Sequence, residues 1–144
     1  MDVHTLDIKD MNEASAYKAL KDSAIISVSG GNSFYLLEYM QKCNFKSILL
    51  KNEFKNAFYI GSSAGSIVMS PDIGFIKEMD DPAKATITDY TGLVFIDFMF
   101  LPHMDHPYLS EAAHKIAKAY QGKNIRTFND NQALYINGQN MRLL

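Results

Sequence analysis

Two segments of the sequence show the same order of elements: a short apolar run, a turn rich in glycine and serine, and a helix-prone stretch. In the first, "AIISV" (24–28) leads through "SGGNS" into "FYLLEYMQKC"; in the second, "AFYI" (57–60) leads through "GSSAG" into "SIVMS". Short β-branched runs of this kind are typical of strands buried on both faces of a parallel sheet. The alternation predicts an α/β fold, with a mostly parallel sheet sandwiched between helices. In such sheets ligands bind beyond the carboxyl ends of the strands, where both turns fall.

The same patterns predict the other elements of the chain. "LVFIDFMFL" is the most apolar run, and "YLSEAAHKIAKAY" consists of good helix formers with apolar residues near one face. The predicted strands are 3–8, 24–28, 57–60, 93–101 and 125–128, and the predicted helices are 13–21, 34–43, 47–54, 64–70 and 108–120. Asn137-Gly138 predicts a hairpin turn near the end of the chain.

The composition predicts one globular domain over residues 1–144. The chain carries a net charge of −2 and is 47% hydrophobic, and it has no run of Lys or Arg, so we expect no nucleic-acid or anionic-membrane partner. No apolar stretch approaches the roughly 20 residues of a membrane-spanning helix. The single Cys43 cannot form an internal disulfide, and we expect a structural thiol in a reducing cytoplasm.

The turn "GSSAG" fits the nucleophile-elbow pattern G-x-S-x-G, with a strand before it and a helix after it. The central Ser63 would occupy a tight, strained turn in which side chains at positions 61 and 65 would clash, and glycine removes both clashes. The hydroxyl then projects beyond the sheet, close to free N–H groups that can hold an oxyanion. The alternative is a turn of small residues whose serines cap a helix.

A serine nucleophile needs a base, and four histidines are available. His4 falls in the first predicted strand and His114 in the middle of a predicted helix, so both are poor candidates. His103 and His106 directly follow the most apolar strand, at the same edge of the sheet as the serine. We expect His103 to be the base because it is nearer the strand end, with His106 as the alternate.

An acid must orient the base, and Asp130 follows the short strand 125–128. Asp80 and Asp81, in "KEMDDP", are the alternatives, although aspartates are also common in turns. Gly30 and Gly31 allow the backbone to approach a ligand closely, and the N–H groups of that turn are candidates for the second half of an oxyanion hole.

Taken together, these residues resemble peptidase family S51, which includes dipeptidase E and, more distantly, cyanophycinase. The matching segments are "SGGNSFYLL", "IGSSAGS", "LPHMDHP" and "NDNQALYING", which occur in the family's order and cover most of residues 24 to 138. The family has the flavodoxin-like layers of the class I glutamine amidotransferase fold, with serine in place of cysteine.

The resemblance implies roles for individual residues. It implies Ser63 as nucleophile, His103 as base, and the N–H groups of Gly31 and Ala64 as the oxyanion hole. Asp130 matches the cyanophycinase-like position of the acid, whereas Asp81 lies near another candidate position. Two features of this sequence differ from the family's pattern.

The first departure is that relatives begin with a further strand–helix–strand stretch, so the resemblance implies a shortened domain. The second is that dipeptidase E recognises an N-terminal aspartate partly through an arginine, and neither Arg126 nor Arg142 aligns with that role.

The sequence therefore predicts a serine hydrolase of short peptides that needs no metal or organic cofactor. The alternatives are an inactive remnant that acts as a binding or assembly module, and an esterase or amidase with non-peptide substrates. An incomplete parallel sheet would expose apolar edges, so we expect a homo-oligomer, most simply a dimer, formed through strands 3–8 and 24–28.

Overall fold

The computed structural model describes residues 2–144 and contains short helices and strands in alternation. The helices are α1 (Glu13–Leu20), α2 (Ser33–Lys42), α3 (Phe45–Leu49), α4 (Ala64–Ile67) and α5 (Ser110–Ala119). The strands are β1 (Ile25–Val28), β2 (Phe58–Gly61), β3 (Met99–Leu101), β4 (Ile125–Thr127), β5 (Leu134–Asn137) and β6 (Asn140–Leu143). No helix in the described part of the chain is long and apolar enough to cross a membrane.

The strands form three pairs, two of them parallel. β1 pairs with β2 in parallel, with Val28 opposite Gly61, and β3 pairs with β4 in parallel, with Leu101 opposite Thr127. β5 and β6 form an antiparallel hairpin. The predicted α/β class with parallel strands and flanking helices is confirmed.

One hydrophobic core joins the helices to the parallel pairs. Phe34 and Leu37 of α2, Ile67 of α4, Leu101 of β3 and Ile116 of α5 are all essentially inaccessible to solvent. Burial of large apolar side chains from several elements fixes how the two parallel pairs sit on the same helices. The carboxyl ends of β1, β2, β3 and β4 therefore approach one another, and the candidate site is formed there.

A polar contact holds the segment 80–86 against α2. The buried Glu38 carboxylate accepts hydrogen bonds from Lys42 Nζ at 2.7 Å, from the Thr86 N–H at 3.0 Å and from Thr86 Oγ1 at 2.7 Å. These bonds, the one from Lys42 first, lower the pKa of Glu38 from 4.5 to about 2. The satisfied carboxylate joins the long segment after α4 to the core.

Several predicted elements are wrong in detail. Residues 3–8 form no strand and are mostly exposed, because they have no hydrogen-bonded strand neighbour among residues 2–144. The predicted helix 47–54 is divided between α3 and a 3₁₀ turn at Asn52–Phe54. Only the last three residues of the predicted strand 93–101 are extended, since Val94 has a φ of 59° that breaks the run.

Two smaller differences concern exposure and the hairpin. β1 and β2 are not buried on both faces, since Ile25 and Phe58 are exposed. The hairpin turn is Gly138-Gln139 rather than Asn137-Gly138, since Asn137 pairs with Asn140. Gly138 has a φ of 57°, which suits glycine at the first central position of a two-residue turn.

Candidate active site

The turn after β2 holds Ser63 in a backbone conformation that L-residues rarely adopt. Its φ is 51° and its ψ is −114°, and α4 begins at the next residue. Non-glycine residues with positive φ are uncommon, and strained positions of this kind cluster at functional sites. The turn therefore has the geometry of a nucleophile elbow.

Sterics explain why glycines flank this serine. A Cβ atom at Gly61 would lie 2.6 Å from the Gly65 carbonyl oxygen and 2.8 Å from the Ser66 nitrogen. A Cβ atom at Gly65 would overlap the carbonyl oxygen of Val28 in β1. The predicted physical reason for the G-x-S-x-G pattern therefore applies here, since both glycines allow backbone segments to lie in contact.

His103 reaches the serine from the end of β3. Its φ of 70° turns the chain after Pro102, and its Nε2 lies 2.9 Å from Ser63 Oγ. The imidazole is only 15% exposed. A nucleophile and a base at hydrogen-bond distance are the first requirement for nucleophilic catalysis by serine.

Asp130 follows β4, the parallel neighbour of β3, so both segments leave the same edge of the pair. Its Oδ1 lies 2.7 Å from His103 Nδ1. A carboxylate can only accept, so it holds the imidazole proton on Nδ1 and leaves the Nε2 lone pair facing the Ser63 hydroxyl. Serine, histidine and aspartate thus form a continuous hydrogen-bonded chain.

The glycine-rich loop after β1 lies against the serine. A Cβ atom at Gly30 would be 3.2 Å from Ser63 Cβ and 3.5 Å from its Oγ. Gly31 has a φ of 134°, which strongly favours glycine. Within residues 2–144 the backbone N–H groups of Gly31 and Ala64 donate no hydrogen bond. These are the two N–H groups that the family resemblance implies for an oxyanion hole.

The alternate base His106, and His114, which was a poor candidate, take other positions. His106 Nδ1 accepts from the N–H groups of Tyr108 and Leu109, both at 3.2 Å, so it caps the turn before α5. Its ring packs against His103 with the centroids 5.1 Å apart. His114 Nδ1 lies 2.7 Å from the Ser110 carbonyl oxygen, within α5.

The alternate acids serve the loop after β1. Asp80 Oδ2 accepts from the Ser33 N–H at 2.8 Å, at the start of α2. The Asp81 side chain accepts from the Ala83 N–H at 2.9 Å, and its carbonyl oxygen accepts from Asn32 Nδ2 at 2.9 Å. Both aspartates hold the glycine-rich loop in place and neither contacts an imidazole.

Two residues that support the site escaped the sequence analysis. Asp105 Oδ1 accepts the Asp130 N–H at 2.7 Å, which fixes the loop that carries the acid. Tyr59 Oη donates to the Gly65 carbonyl oxygen at 2.7 Å, beneath the elbow, and burial raises the pKa of this phenol, which keeps it protonated as a donor. Asp105 lies between two candidate histidines in "PHMDHP", the one local signal that pointed to it.

Ser63, His103 and Asp130 all line one open cleft of about 880 Å³ between β2 and the pair β3–β4. Ligand sites in proteins are commonly clefts of about 300–1,000 Å³. Among residues 2–144 no group of three or more His, Cys, Asp or Glu side chains is placed to hold a metal ion. The cleft presents the serine hydroxyl, the imidazole and the carboxylate to a ligand.

The chain is similar in sequence to a known peptidase family and to several of its members. The model of peptidase family S51 matches residues 1–144. The chain belongs to peptidase family S51. An uncharacterized peptidase of Listeria monocytogenes is 33% identical to this S51 chain over 139 residues, which are 95% of the chain and 68% of the relative. A peptidase E of Shewanella oneidensis is 30% identical over 99 residues, 68% of the chain and 41% of the relative.

A solved structure shows the same fold. The 1.5 Å crystal structure of a protein from Listeria monocytogenes, provisionally assigned as a peptidase E, superposes on this S51 chain with a TM-score of 0.88 and 31% identity. The match covers 96% of the chain and 68% of that protein. The fold is therefore that of the class I glutamine amidotransferase-like peptidases. The chain spans about two thirds of these Listeria proteins and less than half of the Shewanella peptidase.

Proposed function

We propose that this peptidase S51 chain is a serine-type peptidase that hydrolyses short peptides. Membership of the family supports peptidase activity. The observation that carries the serine-type mechanism is the hydrogen-bonded chain from Ser63 Oγ through the His103 imidazole to Asp130, with distances of 2.9 Å and 2.7 Å. A serine that does not act as a nucleophile does not need an imidazole and a carboxylate in this arrangement.

In the proposed mechanism, Ser63 Oγ attacks the scissile carbonyl carbon while His103 Nε2 takes the hydroxyl proton. Asp130 accepts the Nδ1–H bond throughout and stabilises the imidazolium. The N–H groups of Gly31 and Ala64 donate to the oxyanion. His103 then gives its proton to the leaving amine, and an acyl ester on Ser63 remains. Water, deprotonated by His103, attacks this ester; the bond from the acyl carbon to Oγ breaks, His103 returns the proton to Ser63 Oγ, and the acid product leaves.

A fluorophosphonate probe tests the proposal, because it labels a serine only when a neighbouring base activates it. We expect stoichiometric labelling at Ser63, located by mass spectrometry of the digested protein. Ser62→Ala is the matched control, since Ser62 is the exposed neighbour within the same turn, and it should label like the wild type. Absence of labelling, or labelling that Ser63→Ala leaves unchanged, would refute the serine-type mechanism.

We also propose that the protein forms a homodimer, the state expected from its apolar strands. The segment 3–8 is not a strand, so β1 is the remaining candidate, and its Ile25 is 43% exposed. A second copy that covered β1 would bury this surface and pair its free edge. Light scattering at micromolar concentration tests the proposal, and a monomer at that concentration would refute it.

The cytoplasm is the location that we propose. Cys43 is fully buried, and burial raises the pKa of its thiol, so it remains protonated and serves packing. A buried, unpaired thiol fits a reducing compartment. Fractionation of cells that express the tagged protein tests this location, and recovery outside the cytoplasmic fraction would contradict it.

A further inference from the structure

The candidate cleft is bounded by two strands whose outer edges are open. Residues 55–63, which include β2, line one side, and residues 132–137, which include β5, line the other. β2 has one strand neighbour, β1, and β5 has one, β6, among residues 2–144. A strand with one neighbour presents unpaired N–H and C=O groups on its other side, and an extended peptide can pair with them.

The hydrogen bonds of β2 show which of its backbone groups face the cleft. The N–H of Phe58 donates to Ala24, and the N–H of Ser62 donates to Val28, so the even-numbered residues point towards β1. Because backbone groups alternate along a strand, Tyr59 and Gly61 present their N–H and C=O groups on the opposite edge. Ser63 follows two residues later, so a peptide paired with this edge would lead its backbone to the nucleophile.

The cleft has a mixed lining, but several of its large exposed side chains are apolar. Phe58, Ile60, Phe95, Tyr135 and Ile136 line it and are 37 to 58% exposed. Among residues 2–144, the formally charged residues that line it are Asp130 and Lys55. Solvent-exposed large apolar side chains concentrated around one concave surface indicate a binding site for an apolar partner.

Neither arginine is available to bind an acidic side chain in this cleft. The Arg126 guanidinium lies 4.3 Å from the centroid of the Phe98 ring and also contacts Met141 Sδ at 3.3 Å. Arg142 lies on β6, opposite Tyr135, and does not line the cleft. Lys55 lies in the turn before β2, three residues ahead of the strand, so the whole of β2 separates it from Ser63 along the chain.

We propose that this cleft binds extended peptides of about four to six residues with large apolar side chains, and that it discriminates against aspartyl dipeptides. The proposal rests on the serine-type peptidase function proposed above. The open edge of β2 binds the substrate backbone, and the apolar walls bind alternate side chains. The extent of β2, from Phe58 to the elbow, sets the length of peptide that the edge can hold.

The first experiment compares peptides of two, four and six residues that carry Phe and Leu, and matched peptides that carry Asp. The measured quantity is kcat/KM with free amine product as the readout. We expect kcat/KM to rise at least tenfold from two to six residues, and Phe or Leu to exceed Asp by about 10- to 100-fold at the same position. Dipeptides cleaved as well as hexapeptides, or a preference for Asp, would overturn the proposal.

The second experiment separates this proposal from the proposed catalysis. The Ser63→Ala variant cannot form an acyl ester, so a fluorescein-labelled apolar hexapeptide remains intact and its binding is measured by fluorescence anisotropy. Binding to this variant would support the cleft even if the fluorophosphonate fails to label the wild type. Efficient labelling of the wild type without peptide binding would overturn the cleft while leaving the serine mechanism intact.

Substrate N-methylation tests the strand-like pairing without altering the protein. Only alternate amides of a paired peptide face the edge of β2, so methylation of one set should weaken binding at least tenfold, and methylation of the other set should have little effect. Equal sensitivity at successive amides would overturn the pairing with β2.

A protein variant tests the apolar wall. Ile60→Lys places a charge in the cleft and should lower affinity for the apolar hexapeptide at least tenfold. Leu50→Lys is the matched control, because Leu50 is 65% exposed and does not line the cleft. Equal affinities of the two variants would overturn the proposal. Labelling of Ser63 that slows as the protein concentration rises would also overturn it, since a second copy would then occupy the cleft.

Discussion

Gly61→Ala is the substitution whose effect the geometry of the elbow determines most directly. An ideal Cβ at this position would lie 2.6 Å from the carbonyl oxygen of Gly65, 2.7 Å from its carbonyl carbon and 2.8 Å from the nitrogen of Ser66. All three atoms belong to the backbone of the first turn of α4, so no side chain can rotate away. Either β2 or α4 must therefore move.

The size of the effect follows from that constraint. Overpacking by a methyl group typically costs about 1–3 kcal/mol, and contacts with rigid backbone favour the upper end. That is a substantial part of the roughly 5–15 kcal/mol by which domains are stable. Movement of β2 or α4 would shift Ser63 Oγ relative to its partner His103 Nε2. A shift of about 1 Å at a catalytic group can cost about 100-fold in rate.

Urea unfolding and the rate of fluorophosphonate labelling measure the two effects separately. Gly122→Ala is the control, because Gly122 has a φ of 83° and no heavy atom within 4 Å of its Cβ position. Backbone strain should destabilise this variant by about 1–2 kcal/mol without slowing the labelling. If Gly61→Ala labels and unfolds like the wild type, the steric account of the elbow is wrong.

Three further predictions concern carboxylates. Asp130→Asn should lower kcat by up to about 10⁴-fold because it favours the wrong imidazole tautomer, whereas Asp81→Asn should have little effect. If steady-state assays show the larger loss for Asp81→Asn, the assignment of Asp130 as the acid is wrong. Asp105→Ala should lower kcat about 100-fold at unchanged KM, and Asp105→Asn, which keeps an acceptor for the Asp130 N–H, should restore it; failure of rescue would exclude this positioning role. Because the folded-state pKa of Glu38 is about 2 rather than 4.5, its carboxylate stabilises the fold above pH 4.5, and this contribution disappears as the pH falls towards 2. The Glu38→Gln variant should therefore be less stable than the wild type at neutral pH and should lose less stability between pH 4.5 and 2. If the free energies of unfolding in urea of the two proteins change with pH in parallel, this prediction is wrong.

The elbow and its partners were accessible from the sequence because local sterics and strand order determine them. Gly61 has to be glycine because of its contacts with residues 65 and 66, and Gly65 because of its contact with Val28 of β1. Both requirements are visible in the sequence as the G-x-S-x-G spacing. His103 and Asp130 each follow a strand of the same parallel pair, so their meeting at one edge follows from the topology. Nearness to the strand ends gave the choice of His103 and Asp130 among neighbouring histidines and aspartates, and the family resemblance implied the same residues.

The features that the sequence analysis missed depend on long-range contacts. Hydrophobicity identified 93–101 as buried, and Leu93 and Phe98 are, but it could not reveal that the N–H groups of Phe95 and Ile96 bond to the Met69 carbonyl oxygen rather than to a strand. The bond from the Asp130 N–H to Asp105 spans 25 residues and has no periodic signature. The segment 3–8 alternates like a strand but has no neighbour to pair with in the described structure.

The central claim is that Ser63 and His103 act together as nucleophile and base, and the most direct measurement is kcat for hydrolysis of an internally quenched apolar hexapeptide by the Ser63→Ala variant. The account predicts a loss of about 10⁶-fold with an unchanged unfolding midpoint. Ser62→Ala, the neighbouring control, should stay within tenfold of the wild type. A Ser63→Ala variant that hydrolyses the peptide at the wild-type rate would contradict the account.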